Sequence, residues 1–328
     1  MHYFDYVLSN PKASLQYLIA ANDEGETLSS DARRALFQSY VEVITLETSY
    51  KCNRKCDYCP VKASTRITEQ SLMSEEIFEK IISELREIRY EKRITLNLYN
   101  EPLLEEGLEE RIRSLKVGLP FSHVSLSSNG DRLTRLRLKS LRDAGLDQIC
   151  ITFHPLPGEI LTESMLKKRF SKLAGKLSLP PTPEPDFTKK GAKEAMVSYS
   201  LPGVDVIVQW QNWNIIGTTR GGFLSDHREM RYERNAPCAK PFREFTIYYD
   251  GSVQPCCEIF RDNKISGLEI GNIAEESIYD LYSSSRLSLF RRSVFSHGPK
   301  TGVCKTCSAP DYSDRSDNEL RKSLLSSV

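Results

Sequence analysis

Three cysteines spaced C-x3-C-x2-C, Cys52, Cys56 and Cys59 in CNRKCDYC, limit what this chain can be more than any other feature. The short loop gathers three thiols and leaves a fourth metal position without a protein ligand. A structural zinc site takes four protein ligands, and residues 61–93 contain neither Cys nor His to supply another. A catalytic iron–sulfur cluster instead keeps one iron open for substrate or cofactor. The loop also marks a place in a fold. VEVITLE (41–47), rich in β-branched residues, runs straight into it, and a strand entering a loop and then a helix is how an α/β chain begins.

Strand and helix signals alternate from there. Ser74 caps a helix with Ile77, Phe78, Ile81, Leu85 and Ile88 on one face. RITLNLY (93–99) reads as the second strand and HVSLSS (123–128) as the third. A helix over 134–144 stops at Gly145, QICITF (148–153) forms a fourth strand and VDVIVQW (204–210) a fifth. This order predicts a parallel sheet, open or closed into a barrel. Residues 1–40 read as a polar helical extension with Ser30 capping 31–39. The prolines of LSLPPTPEPD (177–186) demand an exposed loop. Past Cys238 the texture changes: EFTIYYDGSVQPCCEIF (244–260) reads as a hairpin turning at Asp250-Gly251, and a helical, polar tail follows. The expected organisation is an extension (1–40), an α/β domain (41–235) and a small C-terminal domain with its tail (236–328).

The second cysteine set lies in that last part. Nine cysteines, an odd number, argue for metal or catalytic use over a disulfide framework. The N-terminal MHYFDYVLSNPKAS lacks the basic and apolar regions of a secretory signal. No apolar run approaches the ~20 residues of a membrane span. A cytoplasmic location, where thiols stay reduced, is therefore expected. With 45 basic against 44 acidic residues, the chain has no global attraction to nucleic acid or anionic membrane. Cys238, Cys256, Cys304 and Cys307 form a closed set that suits zinc or iron–sulfur on spacing alone. Neighbouring side chains on a hairpin point opposite ways, so only one of Cys256 and Cys257 should ligate. A non-enzymatic zinc-binding module would satisfy this second set and leave the three-cysteine loop unexplained. On the fourth strand Cys150, Thr152 and His154 share a face by period two. For Thr152 the alternative is strand propensity, and for Cys150 a packed structural thiol.

The three-cysteine loop, with the aromatic Tyr58 just before its last cysteine, resembles the signature of the radical S-adenosylmethionine (SAM) superfamily. The resemblance implies a partial (β/α) barrel in which Cys52, Cys56 and Cys59 bind a [4Fe–4S] cluster whose fourth iron chelates SAM. Its supporting positions fall on Tyr58, on Asn100 and Glu101 of Tyr99-Asn100-Glu101-Pro102, on Ser128 of Ser127-Ser128-Asn129-Gly130, and on Thr152. Both glycines of the family's Gly-Gly-Glu-Pro run are replaced here, while the acidic residue that would accept from the SAM amine is kept. Asp250-Gly251-Ser252-Val253-Gln254-Pro255-Cys256 is similar to the turn of SPASM/Twitch extensions, which bind auxiliary [4Fe–4S] clusters. Asn212-Trp213 and Arg220-Gly221-Gly222 are similar to an element preceding that region. The match after Pro255 implies Cys256 as ligand. Four cysteines suit the one-cluster Twitch form, similar to the aminocyclitol-antibiotic dehydrogenase type.

What the resemblance implies about the reaction is a 5′-deoxyadenosyl radical that takes hydrogen from substrate, and a flavodoxin or ferredoxin as reductant. With an auxiliary cluster as electron acceptor or relay, oxidation of a small biosynthetic intermediate is expected, with His154 or a Tyr or Arg of 209–234 as base. Were Cys150 to return a hydrogen atom, the outcome would be epimerisation. Maturation of a ribosomally made peptide is the alternative. The 40 residues before the barrel are too few and too helical for a winged-helix peptide-binding unit, which favours a small molecule.

Overall fold

In the computed structural model the described residues are 12–20, 28–64, 71–156, 158–181, 185, 194–213, 218–224, 232–261, 268–309 and 318–327. Their strands are β1 (Val43–Leu46), β2 (Arg93–Thr95), β3 (His123–Ser128), β4 (Gln148–Phe153), β5 (Glu194–Leu201), β6 (Val204–Gln211), β7 (Glu244–Ile247), β8 (Ser252–Gln254) and β9 (Gly271–Asn272). The main helices are α1 (Lys12–Ile19), α2 (Ser30–Tyr40), α3 (Glu75–Glu87), α4 (Leu108–Gly118), α5 (Arg135–Asp143), α6 (Glu163–Leu177), α7 (Ile278–Tyr282), α8 (Ser285–Phe295) and α9 (Asn318–Ser326). Two units share them. One comprises Leu46–Met73 and Arg89–Gly217; the other comprises Met1–Thr45, Ser74–Ile88 and Thr218–Val328.

The first unit is the α/β layer that the alternation predicts. Its strands lie in the order β5-β6-β4-β3-β2; β2, β3, β4 and β6 run parallel and β5 runs antiparallel at the edge. Ile94, Val124, Leu126, Ile149, Ile151, Val206 and Val208 form one buried face, none more than 2% exposed. Phe153, of the same parity on β4, meets Phe170 of α6 edge-on with ring centroids 5.1 Å apart. The other face is left for Ser125, Ser127, Cys150, Thr152, Ile207 and Gln209. Apart from Ile207, it is uncharged and carries hydroxyl, thiol and amide side chains at these positions.

Two expectations are corrected here, and one helix is added. The second strand ends at Thr95 rather than 99, because Oδ1 of Asn97 accepts from Ser127 N (2.6 Å) in place of a ladder carbonyl. The expected fifth strand is the return limb of a hairpin: EAMVSYSL precedes it as β5, and Gly203 (φ 81°) sits in the turn. Helix α6, with Thr162 accepting from Met165 N at its N-cap, fills the space before the proline loop; residues 182–184 and 186 of that loop lie outside the described residues.

The second unit carries β1, β7, β8 and β9 in that order, with β7–β8 an antiparallel hairpin. Its turn is the expected one: Gly251 adopts φ 82° and Asp250 Oδ1 accepts from Ser252 Oγ at 2.7 Å. Ser74 caps α3 as expected, accepting from Ile77 N. Ser29, not Ser30, caps α2, accepting from Ala32 N at 3.2 Å. Nor is the N-terminal extension merely polar. Phe37 of α2 is fully buried, with its ring 5.2–5.7 Å from those of Phe245, Tyr279 and Tyr282. α1 buries Leu15, Leu18 and Ile19 and packs on α8 and α9. Among the described residues no helix is long and apolar enough to cross a membrane.

Candidate functional site

Two cysteine sites stand in the two units, and each is held by contacts that spacing does not reveal. In the α/β unit Cys56 is buried while Cys52 and Cys59 are half-buried. A turn from Cys59 N to Cys56 O (3.0 Å) brings the last two together, and Arg54 N donates to Cys52 Sγ at 3.4 Å. Burial raises the Cys52 thiol to about 11, and the nearby Cys59, Glu101 and Cys56 add to the rise. Thiols that repel one another's charge in this way suit a shared metal group, which takes them as thiolates. The three of them, with no fourth protein donor on the loop, fit a cluster that keeps one position open.

The x3 residues anchor this loop. Arg54 pairs with Asp131 through Nε (2.8 Å) and Nη2, and its Nη1 donates to His154 O at 3.0 Å. Asn53 donates to Asp131 Oδ2 at 2.9 Å and accepts from Asn129 Nδ2 at 2.8 Å. The loop is thus clamped to the chain leaving β3 and β4. Sequence reading missed Arg54 and Asp131; the Asn-Gly-Asp turn and a charge between the cysteines were the available signal. An Asp131→Ala variant is expected to retain its cluster roughly 10-fold less well against an iron chelator, and Asp131→Asn to sit between it and wild type.

Glu101 is 2% exposed. Its Oε1 accepts from Ser128 Oγ (2.7 Å) and Leu103 N (3.1 Å), and its Oε2 from Asn129 N (2.7 Å). Burial raises its pKa against these bonds. Its own N–H donates to Lys51 O at 2.8 Å, beside the first cysteine. Glu101 and Ser128 therefore meet directly, and Oε2, which accepts a single bond, keeps lone-pair capacity for an amine. Asn100 faces elsewhere, with Oδ1 accepting from Leu98 N and Nδ2 reaching Ser49 Oγ at 3.4 Å.

The fourth-strand residues separate in role. Thr152 Oγ1 accepts from Gln209 Nε2 at 3.1 Å on the open face, and Cys150, half-buried, lies level with Ser127 and Ile207 there. His154 turns to the cluster loop: its Nδ1 is 2.6 Å from Tyr58 OH, and the Tyr58 ring stacks on Trp213 at 5.6 Å. Burial, helped by the Arg54 cation, drives the imidazole down to about 4 and keeps it neutral. That geometry favours orienting Tyr58 over acting as a base.

In the other unit Cys238, Cys256, Cys304 and Cys307 come together from three segments. Burial raises the Cys256 thiol well above its usual value, and Cys257, Cys238 and Cys304 add to it; Cys304 is raised to about 11 by burial and then by Cys307. Cys257 turns aside, its Sγ 3.3 Å from Glu244 Oε2 and 3.4 Å from Lys240 Nζ. Glu258 continues that network to Arg220 (2.5 Å) and Thr218 (2.9 Å). The four thiols fit a four-thiolate cluster. Among the described residues no three His, Cys, Asp or Glu side chains converge as they would on one bound metal ion.

Both cysteine sets fall within stretches that match known families. The radical SAM superfamily profile matches residues 46–172, and the SPASM iron–sulfur cluster-binding domain matches residues 238–308. The S-adenosyl-L-methionine-dependent 2-deoxy-scyllo-inosamine dehydrogenase of Niallia circulans is 26% identical over 266 residues, covering 81% of this chain and 92% of that protein. GTP 3′,8-cyclase of Aquifex aeolicus (strain VF5) is 31% identical over 122 residues, covering 36% of this chain and 37% of the cyclase. Among solved structures, BtrN in complex with AdoMet and 2-DOIA superposes with a TM-score of 0.57 at 22% identity, covering 78% of this chain and 87% of that one.

Proposed function

Since the chain belongs to the radical SAM superfamily and carries an iron–sulfur cluster-binding domain, we propose that it oxidises a secondary alcohol of a small hydroxylated intermediate to a ketone. The observation that carries this reading is the likeness along nearly the whole length of an aminocyclitol dehydrogenase. The polar, uncharged sheet face of Ser125, Ser127, Thr152 and Gln209 supports it, since hydroxyl and amide groups suit a polyhydroxylated substrate. Cys52, Cys56 and Cys59 hold the first [4Fe–4S] cluster, with Glu101 placed to receive the SAM amine. Cys238, Cys256, Cys304 and Cys307 hold the second. When bound, the cofactors supply a 5′-deoxyadenosyl radical to take one hydrogen atom and an acceptor for the second electron. The protein's part is to present the carbinol hydrogen, exclude water and take the hydroxyl proton. A flavodoxin or ferredoxin serves as reductant, in the cytoplasm.

The test is anaerobic turnover with SAM, a reductant and 2-deoxy-scyllo-inosamine or a related aminocyclitol. Equal amounts of 5′-deoxyadenosine and a product lacking two hydrogens are expected, and a Cys150→Ala variant should still form that product. In D2O, a product one hydrogen-to-deuterium exchange heavier than the substrate, and lost in Cys150→Ala, would replace oxidation with epimerisation.

A further inference from the structure

Arg234 lies four residues before Cys238 and is 2% exposed. Its guanidinium donates to the carbonyls of Ala236 (3.1 Å), Pro237 (2.8 Å), Cys307 (3.2 Å) and Ala309 (3.0 Å). Its backbone closes the same junction, with N–H donating to Lys305 O at 2.8 Å and C=O accepting from Lys300 N at 3.1 Å. One side chain therefore ties the segment entering Cys238 to the loop of Cys304 and Cys307. Carbonyl acceptors alone would be met by a neutral donor. A buried full charge costs more than an amide, and a cation beside thiolates favours the more negative state of whatever they bind.

Building on the two-cluster reading, we propose that Arg234 is a positioning residue that joins the two cysteine segments and raises the reduction potential of the auxiliary cluster. Its charge makes that cluster a better acceptor of the substrate's second electron. The experiment uses the full chain carrying Cys52/Cys56/Cys59→Ala, so that only the auxiliary site binds iron, and compares Arg234 with Arg234→Lys and Arg234→Gln. Iron content and midpoint potential are read by an EPR-monitored redox titration. Arg234→Gln is expected to shift the potential lower, while Arg234→Lys stays near the parent, although both release iron to a chelator faster. Full iron at an unchanged potential in Arg234→Gln overturns the proposal. Should Arg234→Gln bind no iron, Arg234→Lys decides: a parent-like potential upholds it and a lowered one overturns it. A parent without iron overturns the two-cluster reading itself, and the inference with it.

Discussion

Replacing Cys52, Cys56 and Cys59 together by alanine is expected to lower the iron of the reconstituted protein from about eight to about four atoms per chain. Production of 5′-deoxyadenosine should fall to background in the same variant. The expectation follows from the separateness of the two sites. Each cysteine set has its own anchors: Arg54, Asn53 and Asp131 at the first, Arg234 and Lys300 at the second. Losing the first three thiols removes small side chains, one buried and two half-buried, so the surrounding fold should persist. Iron and sulfide analysis beside a far-UV spectrum checks this. About four atoms in wild type and none in the variant would remove the auxiliary cluster and the electron-accepting role with it.

The second large effect is a contrast between neighbours. Cys256→Ala is expected to lose the auxiliary cluster, a drop of about four iron atoms, whereas Cys257→Ala should keep it. Besides its chain neighbour Cys257, Cys256 has Cys238 and Cys304 close enough to act on its thiol. The Cys257 thiol is instead taken up by Glu244 and Lys240. Cys256 and Cys257 lie past the end of β8 (Ser252–Gln254), in a turn where Ile259 N donates to Cys256 O, so this turn divides the two thiols and the strand alternation expected from the sequence does not. If Cys257→Ala loses the iron and Cys256→Ala retains it, the ligand assignment is reversed.

The two cysteine sets are legible in the sequence alone. Cysteine spacing is a local property, and a loop of eight residues brings its own thiols together whatever surrounds it. Strands β3 and β4 matched residue for residue, because strong apolar runs bounded by turn residues need no distant partner to identify them. Less was legible where a side chain replaces backbone, as at Asn97, or where an alternating strand follows a proline-rich loop, as at β5. Capping went to Ser29 over its neighbour Ser30, a one-residue choice that only the backbone angles decide.

By itself the sequence determined that two thiol sets exist, that one leaves a metal position open, and that strands and helices alternate around the first. These follow from residue type and short-range spacing. Tertiary structure alone decided what holds those thiols. Arg54 reaches Asp131 across 77 positions of chain and Arg234 reaches Cys307 across 73. The helices α1 and α2, polar to a linear reading, supply buried apolar surface to the cluster-binding unit. Nothing in a residue's own neighbourhood encodes such pairings, since they arise only when the fold brings distant segments of the chain together.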